Sequence, residues 1–486
     1  MSITKKNSFT QNNLLSDDKN ISNRPELEAR DNEPIIALCT SRGRDGALAL
    51  IRLVGTGVRS LVNSRARLSG SHSLTTVMTH TISYGQVIDH TNQTIDQVLF
   101  MVMDTPRTFT GQDTVEITCH NNPFIIEQII NIYIKQGARP AQAGEFTKRA
   151  FLSGKVDLVQ AEAINELIHA QTQQGLKTSL AQLEGSLSQW ITQLEQELMK
   201  TLAWCEASFE FLDEEHNFKQ QIHAHLTKIQ HDLQELKKNK RQQQYLRQGV
   251  RIALLGSVNT GKSSLFNLLL QEQRAIVTPH AGTTRDVIEA TISRHGIFLT
   301  LIDTAGIRHT NDTIEQEGIK RSYQEAEKAD IILLIIDGSQ ELTAHEEKIY
   351  QDLYKKYSIK TVLVHHKADL PISTHNSMVL QTSLKVASGQ QPHGKEELER
   401  VLEEEITELF ARNSCPFLLN QRHFSLLETI EIKLDQPRLL CEQERVPYEL
   451  VSYHIKDALE TLSELTGRSI SEAGIERVFK EFCVGK

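Results

Sequence analysis

The chain has 486 residues, of which 39% are apolar and 24% charged, and its net charge is −9. That length exceeds one hydrophobic core and predicts about three domains of ordinary soluble composition. The acidic balance excludes a general polyanion binder, and the longest apolar run, near Ile331 to Ile336, is far short of the ~20 residues of a membrane helix.

In chain order, residues 1–33 are rich in Asn, Ser, Asp and Lys and read as a disordered extension. No apolar stretch follows Lys5 and Lys6, so no secretory signal is expected. Residues 35–55 read as strand, glycine-containing turn, then strand or helix. Alternation resumes at Val98 to Met103 and Thr114 to Cys119, and Ile125 to Ile134 reads as a helix. Residues 34–152 are therefore expected to form a small α+β domain.

Residues 153–248 turn helical. Leu176, Leu180, Leu183, Leu187, Ile191, Leu194 and Leu198 recur at three- and four-residue spacing, which predicts one apolar face, a bundle core. Leu226, Ile229, Leu233 and Leu236 mark a second helix, and residues 411–486 read helical again through Leu450, Val451, Ile455, Leu459 and Leu462. Between the two helical parts, over 249–410, apolar strands at Val250 to Leu255, Phe298 to Ile302, Ile331 to Ile336 and Val362 to Val364 alternate with helical stretches. This is the pattern of an α/β domain with a mostly parallel sheet, inserted into the helical domain.

That inserted segment carries the chemistry. Gly256-Ser257-Val258-Asn259-Thr260-Gly261-Lys262-Ser263 matches G-x-x-x-x-G-K-[S/T] and sits between a strand and a helix beginning near Ser264. Its glycines let main-chain N–H groups wrap phosphates. Lys262 reaches the β- and γ-phosphates, the Ser263 hydroxyl suits magnesium, and the helix start faces the phosphates. Asp303-Thr304-Ala305-Gly306 closes the next strand, with a carboxylate for the magnesium shell and the Gly306 N–H for the γ-phosphate. A threonine of Gly282-Thr283-Thr284-Arg285-Asp286, taken as Thr284, can reach the magnesium as a switch loop closes. His366-Lys367-Ala368-Asp369 stands where an N-K-x-D is usual. Asp369 can accept guanine N1–H and the exocyclic amine, Lys367 can lie along the base, and His366 replaces the asparagine. Ser383 belongs to the next base-side loop. The expected function is GTP hydrolysis.

Ile307 follows the Asp-Thr-Ala-Gly stretch where Ras-like enzymes place a water-orienting glutamine, so another group must serve. With the Gly282–Asp286 switch, the nested nucleotide domain and the final Phe482-Cys483-Val484-Gly485-Lys486, the chain over about 34–486 resembles the MnmE (TrmE) family of tRNA-modification GTPases. The resemblance implies a potassium ion in place of an arginine finger, held by Asn259 with Thr278, His280 and Thr283. It implies that Glu315 orients water. It further implies an N-terminal domain that dimerises and binds 5,10-methylenetetrahydrofolate or a related tetrahydrofolate through Arg52, Glu116, Lys155 and Lys486. The implied assembly is a homodimer joined by a flavin-bearing (FAD) MnmG-like partner into a heterotetramer. The implied reaction adds a carboxymethylaminomethyl-type group to carbon 5 of the wobble uridine of certain tRNAs.

The chain departs from the family pattern at Arg42-Gly43-Arg44-Asp45-Gly46, Asn121-Asn122, Gln142-Ala143 and Val484. A GTP-switched ribosome-assembly factor of the Era or Der type, or a paralogue that dimerises without modifying tRNA, are the alternative readings. The six cysteines form no C-x-x-C pair and read as thiols of a reducing cytosol, consistent with a cytoplasmic protein. Cys483 alone, in the tail, invites a chemical role. The basic run Lys237 to Arg241, with Arg247 and Arg251, reads as a solvated helix end that could touch tRNA phosphates.

Overall fold

The computed structural model describes residues 32–40, 46–70, 72–210, 215–238, 240–257, 259–270, 288–294, 296–303, 322–367, 369–370, 384–386, 394–411 and 416–485. Contacts divide the chain into two compact units, Met1–Ala161 with Ile470–Lys486, and Glu162–Ser469.

The first unit is built on a seven-stranded sheet in the order β3-β4-β5-β6-β2-β1-β7. Its strands are β1 (Ile35–Leu38), β2 (Leu48–Val54), β3 (Ala66–Leu68), β4 (Thr81–Ile88), β5 (Thr94–Met103), β6 (Thr114–His120) and β7 (Arg139–Pro140). Alternation explains its two faces. Ile51, Leu53, Phe100, Val102, Val115 and Ile117 point inward against Ile126, Ile129 and Tyr133 of the helix Pro123–Lys135. Asn122 caps that helix by accepting the Phe124 N–H, with Pro123 at its first turn. The opposite face leaves Leu48, Ile82, Tyr84 and Leu99 exposed, with Tyr84 opposite Leu99 in the ladder. The stretch 35–55, open between strand and helix in sequence, resolves into the antiparallel pair β1–β2.

The helix Glu472–Lys480 and the tail belong to this unit, whereas the sequence reading counts them with the helical domain. Phe479 and Phe482 bury against Leu158 and Ala161, with Phe151 beside them. Val484 bridges Ala143, and the Gly144 N–H donates to the Cys483 carbonyl at 3.2 Å.

In the second unit, the long helices Ser186–Glu210, Glu215–Lys237, Gln421–Leu440 and Tyr448–Thr466 pack into a bundle. Leu187, Ile191, Leu194 and Leu198 are buried there, as are Leu226, Ile229, Leu233 and Leu236. The predicted stripe is not continuous, however. Leu176 and Leu180, on the preceding helix Gln173–Leu183, are exposed. That helix ends before Gly185 and buries Gly175, Thr178, Ser179 and Gln182 instead. Gln182 exchanges two hydrogen bonds with the Leu418 main chain, at 2.9 and 3.2 Å, which turns the polar face inward.

The inserted sheet runs β13-β12-β11-β8-β10-β9. Its strands are β8 (Val250–Leu255), β9 (Ile288–Arg294), β10 (Ile297–Asp303), β11 (Ile331–Asp337), β12 (Thr361–His366) and β13 (Leu384–Val386). All neighbours are parallel except β9 on β10. The central β11 is buried along its whole length, which is why it reads as an unbroken apolar run. Helices Lys262–Leu270 and Lys395–Ala411 cover one face through Leu265, Phe266, Leu398 and Leu402. Helix Ala344–Tyr357 covers the other through Tyr350 and Leu353. No helix among the described residues is long and apolar enough to cross a membrane.

Candidate active site

Parallel pairing brings the C-terminal ends of β8, β10, β11 and β12 to one edge, where open α/β sheets present their ligand crevice. β8 delivers Gly256, and the loop to Gly261 leads into the helix starting at Lys262. Gly256 packs so closely behind the loop that a Cβ there would lie 2.4 Å from the Ile335 carbonyl oxygen. Asn259 adopts the left-handed conformation, φ 64°, which Asn tolerates better than most residues.

Lys262 is buried, and its Nζ donates to the carbonyls of Gly256 at 2.7 Å and Ser257 at 2.5 Å. Burial pulls this ammonium down to about 8, with Asp303 opposing the shift. The lysine is thus folded back on its own loop, at the place where phosphate oxygens can replace main-chain carbonyls as its acceptors. The Ser263 hydroxyl donates to Asp303 Oδ2 at 2.8 Å. Asp303 ends β10 and is 1% exposed. A hydroxyl and a carboxylate at this separation are the hard oxygen donors that magnesium takes, together with phosphate and water. Thr260 is buried, its hydroxyl donating to the Ser257 carbonyl at 3.0 Å, while Ser264 is exposed on the first helical turn.

One residue of this site carried no signal in the sequence. Tyr350, on helix Ala344–Tyr357, accepts the Ser257 N–H at 2.8 Å and donates to the Ile335 carbonyl at 2.9 Å. It ties the phosphate loop to the central strand. No motif marks it, because its role depends on the packing of a helix distant in sequence.

At the base-side turn, His366 ends β12 and is 3% exposed. Lys367 has φ 59° and pairs with Asp337 at 2.5 Å, so it is anchored to the end of β11. Burial alone would raise the Asp337 carboxyl; hydrogen bonds from Lys367 and Ser339 overcome this and hold it low. Asp369 is exposed, free of burial and open to a base. Thr278, His280, Thr283, Thr284, Gly306, Glu315, Ser383 and Lys486 lie outside the described residues.

In the first unit, Arg52 and Glu116 face each other across β2 and β6 and form an ion pair at 2.7 Å. The Arg52 guanidinium also stands 5.5 Å over the Phe146 ring. Lys155 is exposed and donates to the Pro106 carbonyl at 2.5 Å. Arg52 is therefore already partnered by the carboxylate expected beside it, and Lys155 is the more open cation. Cys483 is exposed, while burial pushes the Cys119 and Cys441 thiols up to about 11. In the basic run, Lys237 pairs with Glu431, Lys238 with Glu235 and Arg247 with Glu166. Arg251 reaches Glu289 at 3.0 Å. Those cations have carboxylate partners within the fold.

Two family descriptions match the chain: "GTP-binding protein TrmE N-terminus" over residues 34–155 and "MnmE helical domain" over residues 158–483. The tRNA modification GTPase MnmE of Bacillus cytotoxicus is 36% identical over 468 residues, covering 93% of this chain and 99% of that protein. The protein of the same name from Aquifex aeolicus is 36% identical over 459 residues, covering 93% of this chain and all of that protein. Among solved structures, Aquifex aeolicus Era bound to GDP.AlF4- is similar with a TM-score of 0.25 and 24% identity, over 32% of this chain and 56% of that one. With both family descriptions matched and full-length relatives covered from end to end, the chain belongs to the MnmE family of tRNA modification GTPases, enzymes that hydrolyse GTP.

Proposed function

We propose that this protein is a potassium-dependent GTPase that works as a homodimer with a flavin-bearing MnmG-like partner. Together they add a carboxymethylaminomethyl-type group to carbon 5 of the wobble uridine of certain tRNAs in the cytoplasm. The observation that carries the nucleotide half of this reading is the Ser263–Asp303 contact beside buried Lys262. It puts a phosphate-seeking cation and a magnesium-type donor set at one strand edge.

In this reading Lys262 leaves its loop carbonyls for the β- and γ-phosphates as GTP enters. The main-chain N–H groups of Asn259, Thr260 and Gly261 cradle the phosphates. Ser263, Thr284 and Asp303 would hold magnesium, which would supply positive charge against the phosphates. Asn259, Thr278, His280 and Thr283 would hold potassium, which would supply the positive charge of an arginine finger. Glu315 orients the attacking water, and Gly306 meets the γ-phosphate. Asp369, with Lys367 and Ser383, selects guanine. Catalysis is then positioning and electrostatic stabilisation of the γ-phosphoryl group.

The apolar sheet face around Leu48, Ile82, Tyr84 and Leu99 supports a dimer through the first unit, since a monomer gains nothing by exposing it. Arg52, Glu116, Lys155 and Lys486 are the residues for a tetrahydrofolate, the source of a one-carbon unit. The Glu116 carboxylate would bond the pterin ring, and the cations would hold the glutamate tail.

Two measurements test the reading. GTP turnover in potassium is expected to exceed greatly that in sodium at equal ionic strength; equal slow rates would remove the potassium device. A strain lacking this chain is expected to lose wobble-uridine modification, regained with the wild type and not with Lys262→Ala. Normal modification in that strain would refute the tRNA half.

A further inference from the structure

The usual asparagine of the base-side turn is His366 here, and the structure puts its ring against the phosphate loop. At Gly261 a Cβ would lie 2.1 Å from His366 Nδ1 and 2.4 Å from Cε1. The imidazole fills the space that a side chain at Gly261 would need. Burial holds the imidazole below its ordinary value, and the Thr260 main chain opposes this, as a carbonyl facing a ring N–H does. The main chain of His366 is held in turn. Its carbonyl accepts the Gly338 N–H at 2.9 Å, and it stands opposite Asp337 in the β11–β12 ladder. With 3% exposure, the ring is enclosed by protein.

We propose that His366 is a positioning residue for the phosphate loop: it sets nucleotide affinity through Gly261 and Thr260, and makes no contact with the guanine base. The imidazole is wedged between the end of β12 and the loop, so it fixes the Thr260–Gly261 peptide, and with it the Gly261 N–H, before a nucleotide arrives. Preorganised donors cost no reorganisation on binding, which is where a buried donor of this kind raises affinity. Base selection is left to Asp369, which is exposed on the same turn. The inference rests on the guanine-nucleotide reading of this site and deepens it.

The test compares GDP with 7-deaza-GDP, which lacks the N7 acceptor that a ring or amide donor at this position could reach. Wild-type protein is expected to bind the two with equal Kd. His366→Leu, of similar bulk but without a donor, is expected to weaken both by the same factor, about tenfold. His366→Asn, whose amide can donate to the Thr260 carbonyl, is expected to recover binding of both to within about twofold. A wild-type preference for GDP, or a His366→Leu penalty that disappears with 7-deaza-GDP, would make His366 a base ligand and overturn the inference. Failure of His366→Asn to recover binding would overturn it as well. The wild-type comparison needs no variant to fold. Absence of any GDP binding by the wild type would instead strike the site reading on which the inference stands.

Discussion

The Tyr350 hydroxyl accepts the Ser257 N–H at 2.8 Å and donates its own O–H to the Ile335 carbonyl at 2.9 Å. One buried phenol thus joins the first residue after Gly256 to the central strand. Tyr350→Phe keeps the ring in its apolar site and removes both bonds. It leaves the Ile335 carbonyl and the Ser257 N–H short of a partner. We expect GDP to dissociate about five- to tenfold faster, from a loss of about 1 kcal/mol in loop order, with the fold retained. Stopped-flow release of a fluorescent GDP analogue, beside a thermal unfolding curve, checks this; an unchanged release rate would show the tie to be idle.

Lys262 makes nucleotide binding depend on pH in a defined direction. Its ammonium is lowered from 10.5 to about 8 by burial. Without nucleotide, the folded site loses this proton above about pH 8, while the unfolded chain keeps it until about 10.5. The cost of the buried charge is therefore relieved across that window, and the nucleotide-free protein gains stability as pH rises through it. Phosphates restore the charge, so GDP binding takes up a proton and weakens above about pH 8. Calorimetry at pH 9 in buffers of different ionisation enthalpy is expected to report that uptake, and at pH 7 to report much less.

Asp303 accepts from Ser263 and sits where a magnesium shell is expected. Asp303→Asn keeps the shape and removes the charge. The magnesium concentration needed for half-maximal GTP turnover is expected to rise about 10- to 100-fold, the usual loss when a partner of a metal ligand is altered. A titration of turnover against magnesium decides it, and an unchanged midpoint would move the metal away from this carboxylate.

The helical part has its own buried ionic node. Glu162 accepts from Arg422 at 2.6 and 2.8 Å and meets His423 Nε2 at 2.7 Å, with Arg422 and His423 in the first turn of helix Gln421–Leu440. Burial would raise the Glu162 carboxyl, but His423 and Arg422 drive it far below its ordinary value. Its folded pKa is depressed, so its contribution is present above the unfolded value near 4.5 and is lost as pH falls towards the folded one. Glu162→Ala leaves the buried His423 without its carboxylate and Arg422 with only the Glu464 and Leu465 carbonyls as acceptors, and is expected to cost about 3–5 kcal/mol. A denaturant midpoint measured near pH 7 checks the loss. A second readout is that the variant's deficit shrinks in strong acid.

Much of the nucleotide site was legible because its parts are local in sequence. A phosphate loop needs glycines, a lysine and a hydroxyl within eight positions, directly after a strand and before a helix, and Gly256 to Ser263 supply them. Apolar periodicity likewise marked β8, β10, β11 and β12 of the inserted sheet, though not its edge strands β9 and β13, and marked apolar faces of the bundle helices. It failed at Leu176 and Leu180, because spacing records a possible face and not the partner. Gln182, bonded to the Leu418 main chain, chose the opposite side of that helix for burial.

By itself, then, the sequence determined the succession of an α+β part, a helical part and an inserted α/β part, and the identity of the phosphate loop. Only the tertiary structure decided which groups hold one another. Tyr350 reaches Ser257 across 93 positions, Arg52 finds Glu116 across 64, and Lys367 turns to Asp337 across 30. Such pairs are set by strand register and by how a helix lies on the sheet, both of which are properties of the packed chain. His366 shows the same division. In the sequence it is an asparagine position filled by another residue; in the folded protein it is the ring that occupies the empty side of Gly261.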